Sequence, residues 1–267
     1  MFNLRFVAAS HMGNVRDNNE DIFFANGQIL DPAITGTAIV ADESKDGLYA
    51  VCDGMGGEEC GEIASAIAVN TLHKFYNQTQ DISFEKSIES YTDEANKQIC
   101  DEIEKNSGKR MGTTFAVLYI QNDTAHIFNI GDSRVYLFKS NQLSQLSQDH
   151  TQIRRLFSMG ILTAEKAKTH PERHKLTQHL GIFPDEMVIE PFIAEPLMVE
   201  DNDMFLLCSD GLTDMLEDKA IEGIMQQSSD PQDIAERLIS AALQNGGKDN
   251  VTVIVVKVSK NNDLTDK

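Results

Sequence analysis

A chain of 267 residues is long enough for one large domain or two small ones, and a chain of that size buries roughly 70–75% of the surface it exposes when unfolded. Charged residues make up 24% and hydrophobic residues 41%, which excludes a wholly disordered chain and a collagen-like repeat. Forty-two Asp and Glu against 23 Lys and Arg leave a formal charge of −19, a field that repels phosphate backbones and anionic headgroups, so neither nucleic acid nor a membrane is expected as a partner.

Residues 1–10 lack the charged-then-apolar pattern of a signal peptide, and no apolar run approaches the roughly 20 residues that cross a bilayer, so a cytoplasmic protein is expected. An apolar run at 48–52 is the first strand signal. Ala64, Ile67, Ala68, Leu72 and Phe75 then share one stripe of a helix. Phe84, Ile88, Tyr91, Ala95, Ile99 and Ile103 repeat every three or four residues in a second helix, with Ser83 placed to cap it. The two are expected to pack as an antiparallel pair. Strand signals follow at 114–120, 126–130 and 134–138, bounded by Gly, Asp or Asn.

Residues 151–180 differ in charge from the rest. Arg154, Arg155, Lys166, Lys168, Arg173 and Lys175 against Glu165 and Glu172 make this stretch +4 and leave −23 elsewhere. It reads as a short helix ending at Gly160, a second opening at Thr163 and a break at Pro171. Its charge suits a surface that receives an anion, and an ordinary solvated helical hairpin would show the same pattern. A strand at 204–208 comes next. A helix then opens at Asp230-Pro231, carries Ile234, Leu238 and Ala241, and ends at Gly246-Gly247 before a strand at 251–258. Residues 259–267 are polar and read as a flexible tail.

This order is that of an α+β protein with helices laid over antiparallel sheets, in a single domain over 1–258. Cys52, Cys60, Cys100 and Cys208 have no CxxC spacing, so they read as buried reduced thiols rather than a disulfide framework or a zinc knuckle.

The aspartates carry the chemistry. Asp53 follows the 48–52 run, Asp132 follows the strand ending at Ile130-Gly131, Asp210 follows 204–208, and Asp249 precedes 251–258. Each alone is a common turn former. Gathered at one place, two carboxylates about 4 Å apart repel by roughly 4 kcal/mol at an effective dielectric of about 20, and such a cluster needs cations. All-oxygen ligation favours magnesium or manganese over zinc, and Gly54, without a Cβ, lets the backbone turn its carbonyl toward an ion. Two such ions can ready a water near neutral pH and clamp an in-line displacement at phosphorus. Hydrolysis of a phosphate ester is the reaction this predicts. Arg16 adds a guanidinium able to fork two phosphate oxygens, and the neighbouring Glu20 and Asp21 are placed to hold waters behind the ions.

Six blocks now stand in order: Arg16-Asp17-Asn18-Asn19-Glu20-Asp21, Asp53-Gly54-Met55-Gly56-Gly57, Gly112-Thr113-Thr114, Gly131-Asp132-Ser133-Arg134, Ser209-Asp210-Gly211-Leu212 and Asp249-Asn250-Val251-Thr252. In order and spacing the chain resembles the metal-dependent type 2C serine/threonine protein phosphatases, most of all the compact bacterial stand-alone members. The resemblance implies a β-sandwich of two antiparallel sheets flanked by helix pairs, with a flap over about 151–180. It implies that Asp53 bridges two manganese or magnesium ions, that the Gly54 carbonyl completes one, and that Asp210 and Asp249 complete the other. Asp132, with Asp210, would hold a third, weaker ion, and Arg16 would bind phosphate. Phosphorylated proteins are the implied partners, and a monomer is the default expectation.

Met55 departs from relatives that carry histidine two residues after the bridging aspartate. Methionine cannot donate a proton to the leaving alkoxide, so the donor must lie elsewhere; a water on the third metal near Asp132 is expected. His170, His174 and His179 suggest a zinc spacing, but Pro171 breaks the helix that would align the first two, and they are expected on the flap. A Cys-x5-Arg phosphatase is excluded, because Glu58, Ala66, Asn106 and Asp214 stand six residues after the cysteines. A phosphoprotein-binding pseudophosphatase is the alternative of a different class; it would lack a metal ligand, whereas Asp53, Asp210, Asp249 and Arg16 are all present.

Overall fold

The computed structural model describes residues 2–29, 37–56, 60–78, 84–163, 166–167 and 170–260. One antiparallel sheet runs, edge to edge, β10 (Gln142–Gln145), β9 (Arg134–Lys139), β13 (Met204–Cys208), β14 (Val251–Lys260), β1 (Phe2–His11) and β4 (Ala38–Ser44). The other runs β11 (Phe192–Ile193), β8 (Thr124–Ile130), β7 (Phe115–Gln121), β5 (Gly47–Gly56), β2 (Asp21–Ala25) and β3 (Gln28–Ile29). Short β12 (Leu197–Met198) pairs with β8, and β6 (Met111–Thr113) pairs with the end of β5.

Alternation along the strands explains the apolar runs. In β1, Leu4, Phe6 and Ala8 join the core between the sheets, while Val7 and Ala9 join a second core under the helices on the outer face. β14 divides in the same way, with Ile254, Val256 and Val258 inward and Val251, Val253 and Val255 outward. A strand buried on both faces has no polar side to show. Phe6 meets Tyr49 across the sandwich, ring centroids 5.1 Å apart.

Helices α1 (Gly61–Gln78) and α2 (Phe84–Lys105) cover the outer face of the β5 sheet. They run antiparallel, as expected. Tyr91 of α2 donates its hydroxyl to the Ala68 carbonyl at 3.0 Å, meets Phe75 edge-on and stacks on Phe115 of the sheet at 4.5 Å. Ser83, the expected cap, lies outside the described residues. Helix α3 (Gln152–Ser158) begins the flap, its first turn capped by Thr151 Oγ1, which accepts from Arg154 N–H at 3.2 Å. The expected second helix shows its opening, with Ala167 N–H donating to the Thr163 carbonyl at 2.9 Å; residues 164–165 and 168–169 lie outside the described set. Helices α4 (Asp210–Thr213), α5 (Asp218–Gln226) and α6 (Pro231–Gln244) cover the outer face of the β14 sheet through Leu212, Ile221, Ile234 and Leu238.

Several elements differ from expectation. β1 and α5 were not foreseen: Arg5 and Ser10 interrupt the apolar run of β1, and α5 is nine residues long. Asp230 stands at the N-cap of α6 without a side-chain cap bond; its carboxylate pairs with Arg5 at 2.9 Å instead. Ser259 and Lys260 belong to β14 rather than to a tail, because Phe2 of β1 pairs with Lys260; residues 261–267 lie outside the described set. All four cysteines are buried thiols that form no disulfide. Among the described residues no helix is long and apolar enough to cross a membrane.

Candidate metal centre

The two sheets meet at one pole of the sandwich, where β1, β8 and β13 end and β2, β9 and β14 begin. Asp21 opens β2 and pairs directly with Asp53 on β5, so the antiparallel register sets the two carboxyl groups side by side. Asp53 lies within its strand rather than after it: β5 changes partner there, leaving β2 and β7 and continuing along β6 from Gly54 to Gly56. Three bonds fix its backbone. Asp53 N–H donates to Thr114 Oγ1 at 2.9 Å, Thr114 N–H to the Asp53 carbonyl at 2.9 Å, and Thr113 Oγ1 to the same carbonyl at 3.0 Å. A Cβ on Gly54 would lie 2.3 Å from the Gly61 carbonyl oxygen and 2.7 Å from that of Glu20, so only glycine fits.

From the other sheet, Asp210 opens α4 two residues after β13, and Asp249 stands two residues before β14. Asp249 Oδ1 accepts from Asn250 N–H at 2.9 Å, and its Oδ2 accepts from Arg16 Nη2 at 2.6 Å. Asn250 fastens the Arg16 segment in place: its Oδ1 accepts from Glu20 N–H at 2.8 Å, and its Nδ2 donates to the carbonyls of Met12 and Asn18 at 2.9 and 2.8 Å. Asp132 sits in the turn that crosses from β8 of one sheet to β9 of the other.

Charge shows that these groups converge. Burial pushes the Asp53 carboxyl well above the usual range, and Asp21, Asp210, Asp132 and Asp249 push it further. Burial does the same to Asp210, followed by Asp132, Asp214, Asp249 and Asp21. Asp132 is raised to about 7 by burial and by Asp149, against the pull of Arg134. Asp21 also rises to about 7 through burial, against the hydroxyls of Ser209 and Thr252 beside it. Glu20 rises mainly by burial against α1, and the Arg16 guanidinium, raised by its bond to Asp249, feels Glu20 and Asp53 as well. The eight residues singled out from the sequence therefore gather at one pole.

A buried polar chain supports the floor of this cluster. Asn19 Nδ2 donates to Ser10 Oγ at 2.9 Å, Ser10 Oγ lies 2.8 Å from Thr252 Oγ1, Thr252 N–H donates to Ser209 Oγ at 3.0 Å, and Ser209 Oγ donates to Asp21 Oδ2 at 2.7 Å. The chain ties β1, β14 and the end of β13 to β2 of the opposite sheet. Asp21 Oδ1, also buried, has no hydrogen-bond partner. An oxygen-only donor set, carboxyl groups forced upward by one another, an orphaned buried carboxylate oxygen and a glycine cradle together fit hard divalent cations.

Two participants escaped the sequence reading. Asp214 follows Asp210 by one helical turn, and His174 descends from the flap; His174 Nδ1 lies 3.4 Å from Asp214 Oδ2 and 3.9 Å from Asp210 Oδ2. Ligand atoms of these three lie within 4.8 Å of one another. The i, i+4 spacing of Asp210 and Asp214 was a usable signal. Nothing local in the sequence points His174 at them. Among the described residues His170 and His179 do not join this group; His170 Nδ1 accepts from Glu172 N–H, and His179 Nδ1 lies 2.9 Å from the Leu180 carbonyl.

A sandwich with this carboxylate pole defines a class, and comparison with known proteins agrees. The family model described as protein phosphatase 2C matches residues 26–245, and the chain belongs to that family. The serine/threonine phosphatase stp of Listeria welshimeri is 32% identical over 255 residues, 92% of either chain. Among solved structures, the Mycobacterium tuberculosis serine/threonine phosphatase PstP/Ppp superposes with a TM-score of 0.81 at 30% identity, covering 97% of this chain and all of that one. The catalytic domain of PstP in complex with two manganese ions superposes with a TM-score of 0.79 at 30% identity, over 97% of this chain and 100% of that chain.

Proposed function

We propose how this chain, a metal-dependent protein serine/threonine phosphatase of the protein phosphatase 2C family, divides its reaction among its residues. Asp53 and the Gly54 carbonyl from one sheet, with Asp210 and Asp249 from the other, would hold two divalent ions, manganese or magnesium. Asp132, with Asp210, would hold a third and weaker ion. Such ions neutralise the carboxylates and supply a water acidic enough to attack phosphorus. Arg16, tethered over the cluster by Asp249, orients the phosphoryl group through its planar fork. Glu20 and Asp21, held in register by Asn250 and Ser209, would hold waters behind the ions. Phosphoserine and phosphothreonine on other proteins are the substrates. The basic flap receives the peptide around the phosphate. We place this activity in the cytoplasm, where reduced thiols such as these four persist, and in a monomer.

The observation that carries the reading is the mutual field of Asp53, Asp210, Asp132 and Asp249, drawn from both sheets to one pole. The test is turnover of a phosphothreonine peptide and of p-nitrophenyl phosphate with manganese or magnesium. Activity is expected to vanish with EDTA. Asp210→Asn should lower kcat by more than about a hundredfold, beyond what loss of an outer partner costs a metal site, in a protein that still melts cooperatively. Undiminished turnover in Asp210→Asn would retire the assignment.

A further inference from the structure

The first root of the flap is bonded to the turn that carries Asp132, and the second to β6, next to the Thr114 that fixes Asp53. At the first root, Gln148 N–H donates to Asn129 Oδ1 at 3.1 Å and Asn129 Nδ2 donates to the Gln148 carbonyl at 2.8 Å. Two residues on, His150 and Gly131 exchange bonds: His150 N–H donates to the Gly131 carbonyl at 2.8 Å, and Gly131 N–H donates to His150 Nδ1 at 3.1 Å. Between them, Asp149 accepts from Arg134 Nε at 2.9 and 3.1 Å and from its Nη2 at 2.6 Å. Arg134 Nη1 also donates to Tyr136 Oη at 2.9 Å, and Tyr136 Oη donates to Asp218 at 3.0 Å. The turn 131–134 is thus pinned on both sides of Asp132, by His150 at Gly131 and by Asp149 at Arg134.

The second root is built alike. Thr113 and Leu180 exchange backbone bonds at 3.1 and 2.9 Å, one residue from the Thr114 that fixes Asp53, and Asn96 of α2 clasps Gly181 N–H at 2.7 Å and the Ile182 carbonyl at 2.9 Å. The tip stands in contrast, with Met159 and Ile161 each 63% exposed. Bidentate arginine pairing and a reciprocal histidine bond are costly in side-chain order for a loop that only needed attachment. Burial keeps His150 below its ordinary range, which suits a neutral ring accepting at Nδ1.

We propose that Arg134, Asp149 and His150 are positioning residues that hold the Asp132 turn against Asp210 from the flap root, and so set how tightly the weaker, third ion binds. This rests on the role given above to Asp132. Outer partners of metal ligands commonly change affinity by roughly ten- to a hundredfold.

The experiment counts manganese bound by calorimetry in the full chain and in Asp149→Asn, Arg134→Lys, His150→Leu and His150→Asn, with melting curves alongside. Asp149→Asn, Arg134→Lys and His150→Leu should leave the two tight sites in place and weaken the third by roughly tenfold or more, with activity recovered by added manganese. His150→Asn, whose Oδ1 can accept the Gly131 N–H, should retain parental binding; simple loss of packing would not separate the two His150 variants. Equal third-ion affinity in folded Asp149→Asn and His150→Leu would overturn the proposal, as would loss of all three ions together. Asp132→Asn distinguishes the two levels. If it loses the third ion while the root variants keep it, the root proposal alone fails; if it loses none, the role of Asp132 fails as well.

Discussion

The carboxylate floor and the flap differ in charge and in packing. In the floor, Asp21 is wholly buried and Asp132 nearly so, and Asp53 and Asp249 are fixed by strand ladders, threonine hydroxyls and the Asn250 staple. In the flap, residues 151–180 carry +4; among the described ones only Thr151, Ile153 and Leu180 are buried, and Phe157, Met159 and Ile161 lie at the surface. Floor geometry is therefore inherited from the whole sandwich, whereas flap geometry depends on two roots and leaves the tip free to vary. Substitution in the floor should alter chemistry and stability together. Substitution in the flap tip should alter substrate preference alone.

The largest expected effect lies in the floor. Asp53→Asn should reduce kcat by more than about a hundredfold, and the same change should raise the melting temperature of the metal-free protein by about 2–8 °C, because a carboxyl disfavoured by burial and by its acidic neighbours is gone. Paired kinetics and calorimetry check both; a melting temperature that falls along with activity would mean that the carboxylates stabilise the fold, and the contrast would collapse.

Next comes pH. Asp21 and Asp132 both titrate at about 7 in the fold, against an ordinary value of 3.8. A carboxyl whose folded value is raised contributes stability that is complete below its unfolded value and is lost as pH rises through about 7. In EDTA the melting temperature should thus fall by several degrees between about pH 5 and pH 8, and the stabilisation given by manganese should grow over the same interval as ligands deprotonate. Asp21→Asn should flatten the EDTA profile; an unchanged slope would remove Asp21 from the account.

Ser209→Ala should cost about 1–3 kcal/mol, or about 3–8 °C, by leaving a buried carboxylate oxygen of Asp21 without its donor. Thermal melting with and without manganese measures it. The smallest effect on stability belongs to the flap. Arg154→Gln with Arg155→Gln should leave melting within about 1 °C and leave p-nitrophenyl phosphate kinetics unchanged, while raising KM severalfold for an acidic phosphopeptide in a salt-dependent way. Equal changes for both substrates would dissolve the distinction between tip and floor.

Much of the floor could be read from the sequence because buried strands leave continuous apolar runs, and the polar residues that break them stand out. Asp53, Asp132, Asp210 and Asp249 were visible for that reason. β1 was hidden because Arg5 and Ser10 serve other tasks: Arg5 pairs with Asp230, and Ser10 belongs to the polar chain under Asp21. Ser209, Asn250 and Thr252 stood in recognised blocks, yet their roles depend on partners up to 242 residues away, which no local pattern encodes. His174 was missed for a related cause. Its approach to Asp214 follows from how the flap roots are anchored, not from its neighbours in sequence.

The pairing of Phe2 with Lys260 also governs assembly. β14 lies between β13 and β1 in its sheet, and all ten residues of β1 pair with it, although 239 positions separate His11 from its partner Val251 at the nearest end of the ladder. A sheet whose central strand is synthesised after its neighbours stays open along its middle until residues 251–260 have left the ribosome, and such distant pairings form slowly. Asp249 is delivered by that same late strand. Nascent chains should consequently acquire competence for divalent ions only after β14 has emerged and paired with β1 and β13.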